Sequence, residues 1–283
     1  MPQMTKKNAF ALENKVVIIT GAALGIGRAA ADAFAAAGSQ LVLVDIQTDP
    51  LISARDQIAA AGHPRPLAVP ADVASDADLE NTVETTLEAF GRIDVLINNA
   101  GLGIGGRFQD YDPARLRKVV DVNLYGLMRL TQLVIPVMLK QGTGHILNVT
   151  SQAADLSVPG YAGYVATKAG ISALTRVLRR ELAGSGIHLT LFCPGPTRTP
   201  MTERMIRFGR GTARIPHHGP ELPASLMVDA VRRRRRYVIT SNQPRRQALI
   251  GWLEKLFPGL LDSYWRSQAS DDFFEGASLS GEE

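Results

Sequence analysis

Tyr164 and Lys168 stand four residues apart in the stretch "YVATK", and this spacing places both side chains on one face if the segment is helical. A phenol has an unperturbed pKa of about 10, so it is a poor proton acceptor at neutral pH. A neighbouring ammonium group favours the phenolate and would correct this. Tyr161, in contrast, has Val165 at the same offset and therefore lacks a cation on its face. The pair Tyr164 and Lys168 is thus suited to move a proton to or from a hydroxyl group.

Two other polar residues are candidates for the same chemistry. Ser151 ends an apolar run that reads as a strand, and ligands bind at the carboxyl ends of strands in open parallel sheets. It could hold a substrate oxygen beside the phenol. Asn123 lies inside a predicted helix, which is an unfavourable place for an amide unless the amide has a task. We expect it to bind a water that relays protons from Lys168. Hydride transfer at a carbinol carbon requires such a proton-moving group.

A glycine-rich turn follows the first predicted strand and opens the first predicted helix, in "VVIITGAALGIGRAAADAF". Gly21, Gly25 and Gly27 lack the Cβ atoms that would keep a phosphate away from backbone N–H groups at a helix start. A flexible turn without a ligand is the alternative. The position within the first strand–helix–strand unit favours dinucleotide binding.

Asp45 ends the second predicted strand, eighteen residues after Gly27. A carboxylate there can accept hydrogen bonds from both adenosine ribose hydroxyls and would repel a 2′-phosphate. No Lys or Arg occupies positions 22–24 or 46–48, so the sequence favours NAD over NADP. An ordinary turn aspartate is the alternative. Asp72, just before Val73, could bind the adenine amino group or simply begin a loop.

Strand-like and helix-like stretches alternate along the chain, which predicts an α/β fold with a parallel sheet. We expect one doubly wound Rossmann-type domain over residues 14–243, with a seven-stranded, mainly parallel sheet flanked by helices. The predicted strands are 15–20, 40–45, 66–72, 94–100, 145–151, 188–193 and 237–241. The main predicted helices are 26–37, 75–90, 113–141 and 162–183.

The remaining segments surround this domain. Residues 1–13 are expected to form an arm, 200–223 a substrate lid, 244–269 a helical appendage and 270–283 a disordered tail. The lid carries Met201, Met205, Ile206 and Phe208, which suit an apolar substrate or simply pack the lid on the body. The appendage has an apolar stripe, interrupted at Pro258, that could pack against a subunit, cap the pocket or contact a membrane surface through 244–266.

Composition excludes several other classes of protein. The single cysteine, Cys193, excludes an internal disulfide framework. We expect a cytoplasmic location, with peripheral contact to a membrane as a possibility. The net charge is +4, and the arginine run 232–236 follows a predicted helix, where cations are favourable. Basic residues are not interleaved with stacking aromatics, so no nucleic-acid partner is predicted. His217 and His218 lack further ligands nearby, so no metal site is predicted.

Taken together, these motifs resemble the classical short-chain dehydrogenase/reductase (SDR) family. The matching features are "TGAALGIG" at 20–27, "NNAG" at 98–101, the helical Asn123, Ser151 thirteen residues before Tyr164, "YVATK" at 164–168 and "PG" at 194–195. They occur in the order typical of the family and span about residues 14–241. Thr197 departs from the pattern, since valine or isoleucine is common there, but its backbone can make the same contact.

The resemblance implies a catalytic tetrad of Asn123, Ser151, Tyr164 and Lys168, with Tyr164 as general acid/base and Tyr161 lining the pocket. It also implies cofactor contacts from Gly21, Gly25, Ile26, Gly27, Asp45, Asp72, Val73, Asn99, Ala100, Gly101, Tyr164, Lys168, Pro194, Gly195, Thr197 and Thr199. A homodimer or homotetramer is expected.

The sequence therefore predicts an NAD-dependent oxidoreductase that interconverts a secondary alcohol and a ketone. The lid favours an apolar substrate, such as a secondary alcohol or a sterol-like or aromatic ketone. Two alternatives remain, namely a non-catalytic protein that senses NAD, and an SDR-type epimerase or dehydratase.

Overall fold

One parallel sheet organises the protein. The computed structural model describes residues 10–203, 218–240 and 256–268. Within them, seven strands lie in the order β3-β2-β1-β4-β5-β6-β7, and all six pairings are parallel. The strands are β1 (Val16–Thr20), β2 (Gln40–Asp45), β3 (Leu67–Pro70), β4 (Val95–Asn98), β5 (Gly144–Val149), β6 (Ile187–Cys193) and β7 (Tyr237–Ile239). The predicted Rossmann-type sheet is thereby confirmed.

Helices connect the strands and cover both faces of the sheet. They are α1 (Gly25–Ala36), α2 (Thr48–Ala60), α3 (Asp76–Phe90), α4 (Pro113–Val120), α5 (Gly126–Gln141), α6 (Gln152–Leu156), α7 (Ala162–Glu181), α8 (Glu221–Arg232) and α9 (Pro258–Gln268). A π-helical turn, Asp121–Tyr125, joins α4 to α5. Helix α2 was missed by the sequence prediction because its apolar positions, Leu51, Ala54 and Ile58, form only a short stripe.

The two faces of the sheet bury separate hydrophobic clusters, as the alternation of side chains along a strand requires. On β1, Val17 and Ile19 belong to the cluster beneath α1 and α8. Val16 and Ile18 belong to the opposite cluster, which includes residues of α3 and α5. A strand buried on both faces must be apolar at every position, and this is why "VVII" shows no polar alternation.

The strand order reverses between β1 and β4, because β2 and β3 lie on one side of β1 while β4 to β7 lie on the other. Such a reversal opens a crevice at the carboxyl ends of the two central strands. Ile19 pairs with Ile97, so the loop after Thr20 and the loop after Asn98 leave the sheet side by side. The glycine-rich turn and the "NNAG" segment therefore meet at this crevice.

Residues 113–141 form one helical segment of 29 residues, which by length and apolar composition alone could cross a membrane. Its inward face packs on α3, β4 and β5, and Leu130, Val134 and Met138 are buried there. We therefore interpret this segment as a core helix of the fold. The π-helical turn within it was not expected, and such turns frequently occur at functional sites.

The structure describes parts of the predicted arm, lid and appendage. Phe10 and Leu12 are buried, and the Phe10 N–H donates to the Arg232 carbonyl at 2.8 Å, so the packed domain includes at least four residues of the predicted arm. Helix α8 begins at Glu221, so the last three residues of the predicted lid, 221–223, are helical. Lid residues 204–217, the appendage up to 255 and the tail lie outside the described residues.

The arginine run begins at the carboxyl end of α8 and continues into the turn before β7. Arg233 and Arg235 both form ion pairs with Asp229, and all five arginines of the run are exposed. This agrees with the interpretation as a solvated helix end. Helix α9 begins at Pro258, where the sequence predicted an interruption, since proline is favourable in the first turn of a helix.

Candidate active site

Helix α7 carries the predicted acid/base pair on one face. Lys168 is 4% exposed, and its Nζ donates a hydrogen bond to the Val149 carbonyl at 3.1 Å. The same Nζ lies 5.7 Å from the centroid of the Tyr164 ring. The predicted helical spacing therefore brings the ammonium group next to the phenol at the end of β5.

Ser151 lies immediately beyond β5 and is the residue before α6. Its backbone is extended, with φ −156° and ψ 148°, and its hydroxyl accepts a hydrogen bond from the Ala153 N–H at 3.2 Å. The hydroxyl also interacts with the Tyr164 phenol through a side-chain hydrogen bond. The structure thus brings together the three residues that the sequence assigned to proton transfer and substrate-oxygen binding.

Burial dominates the electrostatics of this group. Burial raises the pKa of Tyr164, while the hydrogen bond from Ser151 opposes that rise. Burial lowers the pKa of Lys168 to about 8, because a charged ammonium is unfavourable away from water. The sequence argument expected the ammonium to make the phenol more acidic. In the protein chain by itself the pKa of the phenol is raised instead, because burial outweighs the hydrogen bond from Ser151.

Asn123 is fully buried in the π-helical turn. Its Oδ1 accepts a hydrogen bond from the Leu102 N–H at 2.6 Å, and its Nδ2 donates to the Leu102 carbonyl at 2.9 Å and to Thr167 Oγ1 at 3.2 Å. The amide therefore clamps the loop after β4 to α7. Both Nδ2 hydrogens are used in these contacts, so the predicted water could bind only at Oδ1, and that role stays a prediction.

Gly101 lies where this loop passes the Lys168 side chain of α7. A Cβ atom on Gly101 would lie 3.2 Å from Asn123 Oδ1 and 3.4 Å from Lys168 Nζ. These distances show that Asn123, Lys168 and the "NNAG" segment converge on one point. Proximity of these residues was expected from the resemblance alone, since spacing along the sequence could not establish it.

Tyr111, just before α4, contacts the amino end of α7. Its hydroxyl donates to the Gly160 carbonyl at 3.4 Å, and the N–H groups of Ala162 and Gly163 face its oxygen and oppose the rise in the pKa of Tyr111 that burial causes. Tyr161, the residue before α7, makes no side-chain cap of its own. Tyr111 was missed because the sequence shows no pattern that links residue 111 to residue 162.

The glycine-rich turn fits a dinucleotide phosphate. Gly21 and Gly25 have φ angles of 65° and 59°, which residues other than glycine rarely adopt. A Cβ atom on Gly27 would lie 2.0 Å from the Gly21 carbonyl oxygen, so only glycine is possible there. The side chain of Leu24, the residue before α1, accepts no hydrogen bond from the helix. The first N–H groups of α1, including that of Ile26, are therefore not capped by it. This is the arrangement that binds anions at helix starts.

Thr20 and Asn99 join the glycine-rich turn to the "NNAG" segment. Thr20 Oγ1 accepts hydrogen bonds from the N–H groups of Asn99 and Ala100, each at 3.0 Å. The Asn99 side chain donates to the carbonyls of Thr20 and Gly21 at 3.0 and 3.2 Å. Thr20 was not among the predicted site residues, although a polar residue at the end of an apolar strand could have drawn attention to it.

Asp45 is buried at the end of β2, 8% exposed, and faces the glycine-rich turn. Its carboxylate accepts hydrogen bonds from the N–H groups of Ala23 and Gln47, both at 3.0 Å. Asp45 therefore holds the turn, and its remaining lone pairs are available to a ribose.

Asp72 accepts a hydrogen bond from the Ala74 N–H at 2.9 Å, which is a loop-starting contact. Its predicted adenine contact stays a prediction. The next residue, Val73, lines a small cavity together with Thr20, Asn98 and Ala100. The loop after β3 thus reaches the same crevice as the glycine-rich turn.

The loop after β6 closes the crevice from the other side. The Gly195 N–H donates to Thr240 Oγ1 at 2.7 Å, and the Pro194 carbonyl accepts from the Gln152 N–H at 3.2 Å. A Cβ atom on Gly25 would lie 3.2 Å from Thr199 Cγ2, so Thr199 lies against the glycine-rich turn. Its predicted contact with the cofactor phosphates stays a prediction.

Thr197 and Thr199 are held by Thr202, which the sequence analysis missed. The Thr202 hydroxyl donates to the Thr197 carbonyl at 2.5 Å and accepts from the Thr199 N–H at 2.9 Å. Short polar residues that bond nearby backbone groups are typical of turns, and the run "TRTPMT" carries that signal. Among the described residues, no cluster of His, Cys, Asp or Glu could hold a metal ion.

Comparison with known proteins agrees with this geometry. The short chain dehydrogenase family model matches residues 15–208. The 3-oxoacyl-(acyl-carrier-protein) reductase FabG of Thermotoga maritima is 38% identical over 213 residues, which are 72% of this chain and 84% of that protein.

Two solved structures are also similar. A short chain dehydrogenase/reductase from Burkholderia phymatum in complex with NAD has a TM-score of 0.80 and 31% identity, covering 89% of this chain and 96% of that one. Levodione reductase has a TM-score of 0.77 and 30% identity, covering 83% and 98% of the two chains. With the glycine-rich turn, the "NNAG" segment and the Ser–Tyr–Lys arrangement in place, the chain belongs to the short-chain dehydrogenase/reductase family of oxidoreductases.

Proposed function

We propose that the protein is an NAD-dependent oxidoreductase that interconverts a secondary alcohol and a ketone. The observation that carries this proposal is the convergence of Ser151, Tyr164 and Lys168 at the end of β5, where the hydroxyl of Ser151 bonds to the phenol and the ammonium lies 5.7 Å from its ring. The residues that would hold the dinucleotide line the adjacent crevice. An oxidised nicotinamide bound there would accept a hydride from the carbinol carbon.

The side chains of this protein then have separate tasks. Ser151 binds the substrate oxygen, and the phenol of Tyr164 exchanges the proton of that oxygen. Lys168 supplies positive charge beside the phenol, and its pKa of about 8 keeps it largely protonated at neutral pH. Asn123 positions the loop after β4 against α7 through its three bonds to Leu102 and Thr167. Burial of Lys168 strengthens its electrostatic effect because water does not screen it.

NAD is the cofactor we propose, rather than NADP. Asp45 places a buried carboxylate at the end of β2, where a 2′-phosphate would meet a negative charge. The nearest cation in α1, Arg28, is engaged by Asp32 and Gln57. The related structure from Burkholderia phymatum was solved with NAD, which supports the same choice.

The substrate is proposed to be a ketone, or the corresponding alcohol, with an apolar body. Two of the similar proteins are named as reductases, of 3-oxoacyl groups and of levodione, and this supports carbonyl reduction as the direction of the reaction. The apolar residues proposed to contact the substrate lie mainly in the lid, of which 204–217 are outside the described residues.

The central test compares two tyrosines three residues apart. In Tyr164→Phe, turnover should fall by about two to four orders of magnitude, because only the proton-transfer group is lost, while NAD affinity stays within about twofold. Tyr161→Phe removes a nearby hydroxyl that has no lysine one helical turn away, and it should keep turnover within about tenfold of the wild type. NAD reduction is measured across aliphatic, aromatic and steroidal alcohols and repeated with NADP, and NAD binding is measured by titration.

Near-normal turnover in Tyr164→Phe would refute the assignment of the general acid/base. Binding of NAD by the wild type without oxidation of any alcohol or reduction of any ketone in the panel would favour a sensing protein instead. A preference for NADP over NAD would contradict the role given to Asp45.

We further propose that the protein is a cytoplasmic homo-oligomer. The apolar side chains Val120, Tyr125, Met128 and Leu139 are exposed along the helical segment 113–141, and a second copy would bury them. Light scattering of the purified protein tests the oligomeric state, and a monomer at micromolar concentration would contradict it.

A further inference from the structure

Gln152, the residue after Ser151, has an amide group whose bonding is incomplete. Its Nε2 is buried, and no described residue accepts a hydrogen bond from it. A buried amide donor without an acceptor is unfavourable, because it has lost its hydrogen bonds to water and gained none in return. Such groups are therefore uncommon, and one beside a reaction centre suggests that a ligand supplies the missing acceptor.

The backbone of Gln152 is firmly placed. Its N–H donates to the Pro194 carbonyl at 3.2 Å, which ties the start of α6 to the loop after β6. At the other end of α6, Asp155 accepts a hydrogen bond from the Tyr237 hydroxyl at 3.1 Å. Helix α6 is therefore held to the loop after β6 and to β7.

The side chain of Gln152 lies against Gly195. A Cβ atom at Gly195 would be 2.8 Å from Gln152 Nε2 and 3.1 Å from its Cδ, so the amide occupies the space that a side chain at 195 would take. Gly195 belongs to the loop that faces the glycine-rich turn. The Gln152 amide thus lies against the loop that closes the crevice, and its residue directly follows Ser151, which is proposed to bind the substrate oxygen.

Resting on the proposed function, we propose that Gln152 is a specificity-determining residue that donates a hydrogen bond to a second oxygen of the substrate, close to the reacting carbon. Ser151 and Tyr164 bind the oxygen that reacts, and Gln152 binds a carbonyl or hydroxyl oxygen a few bonds away. The preferred substrates are then ketones with such a neighbouring acceptor, or the hydroxy compounds formed from them, rather than simple ketones.

The chemistry of the site favours an acceptor of this kind. An amide N–H is a neutral donor, so a carbonyl or hydroxyl oxygen suits it without introducing a buried charge. A substrate without that oxygen leaves the donor unpaired, and sites built to bond a polar group discriminate strongly against analogues that lack it. An apolar body elsewhere in the substrate remains compatible with this requirement.

The test uses a matched pair of substrates. Ethyl acetoacetate has a ketone with a neighbouring ester carbonyl, and its ether analogue has a methylene in place of that carbonyl. For the wild type with reduced cofactor, kcat/KM should be at least about tenfold higher for the ester. In Gln152→Leu the value for the ester should fall about tenfold, while that for the ether changes less than about twofold. Gln132→Leu, at an exposed glutamine of α5, is the matched control and should leave the ratio unchanged.

A second readout does not require turnover. Protection of the wild type by ethyl acetoacetate against thermal unfolding, measured with cofactor present, should be lost in Gln152→Leu. Absence of turnover of both ketones with protection still dependent on Gln152 would refute the proposed function and not this inference. Three results would overturn the inference, since the amide would then serve the fold or the cofactor. They are an equal loss of kcat/KM on the ester and the ether in Gln152→Leu, unchanged thermal protection of that variant by ethyl acetoacetate, and a weakening of NAD binding alone.

Discussion

His145 makes the stability of the fold sensitive to acid. It lies in β5, fully buried, with its Nε2 2.8 Å from Thr190 Oγ1, and its Nδ1 has no hydrogen-bond partner among the described residues. Burial lowers the pKa of His145 to about 3, and the charges of His188 and Arg234 add to this effect. The imidazole is therefore neutral in the folded protein at every pH at which the fold is expected to persist.

The unfolded chain binds a proton at this histidine below its ordinary pKa, whereas the folded chain does not. The unfolded state is therefore favoured as the pH falls from about 6.5 towards about 3, by about 1.4 kcal/mol for each pH unit. Between about pH 7 and about pH 5, this single group should lower the free energy of unfolding by about 2 kcal/mol. Against a total stability of about 5–15 kcal/mol, that change is easily measured.

The assay is urea unfolding of the wild type and His145→Gln at about pH 7 and about pH 5. The variant should lose about 2 kcal/mol less than the wild type between these two conditions, whatever its stability at neutral pH. His63→Gln, in the loop between α2 and β3, is the control and should follow the wild type. Equal losses in His145→Gln and the wild type would refute the reasoning, because the buried imidazole would then not be the group that resists protonation.

Two further predictions concern the architecture of the site. In Gly27→Ala the added Cβ would lie 2.0 Å from the Gly21 carbonyl oxygen, so NAD affinity, measured by titration, should fall at least about tenfold. Gly259→Ala is the control, because its added Cβ meets nothing within 4 Å, and it should leave NAD affinity unchanged. In Tyr111→Phe the N–H groups at the start of α7 lose their partner, so urea unfolding should show a loss of about 1 kcal/mol, and kcat should fall more than KM rises. Tyr125→Phe, which removes an exposed hydroxyl bonded to Asp76, should change neither quantity.

The local patterns of the sequence were sufficient to predict the fold. Continuous apolar runs indicated strands buried on both faces, and the alternation with helices indicated parallel pairing. Strand β2 was predicted as 40–45 and spans Gln40–Asp45. Strand β3 was predicted as 66–72 and is shorter, spanning Leu67–Pro70. The helical spacing of Tyr164 and Lys168 was also predictable, because four residues make about one turn whatever surrounds them.

Other features depend on contacts between residues far apart in the sequence. Thr20 accepts hydrogen bonds from the N–H groups of Asn99 and Ala100, which lie 79 and 80 positions further along the chain. Nothing in the sequence around Thr20 indicates these partners. The direction of the pKa shift at Tyr164 also depends on packing, because burial, which only the packed structure sets, outweighs the hydrogen bond from Ser151. The unpaired amide of Gln152 also becomes visible only once Gly195 lies against it. The sequence determined which elements form and which residues share a helix face, since these depend on periodicity, whereas burial and long-range hydrogen bonds were decided by how those elements pack.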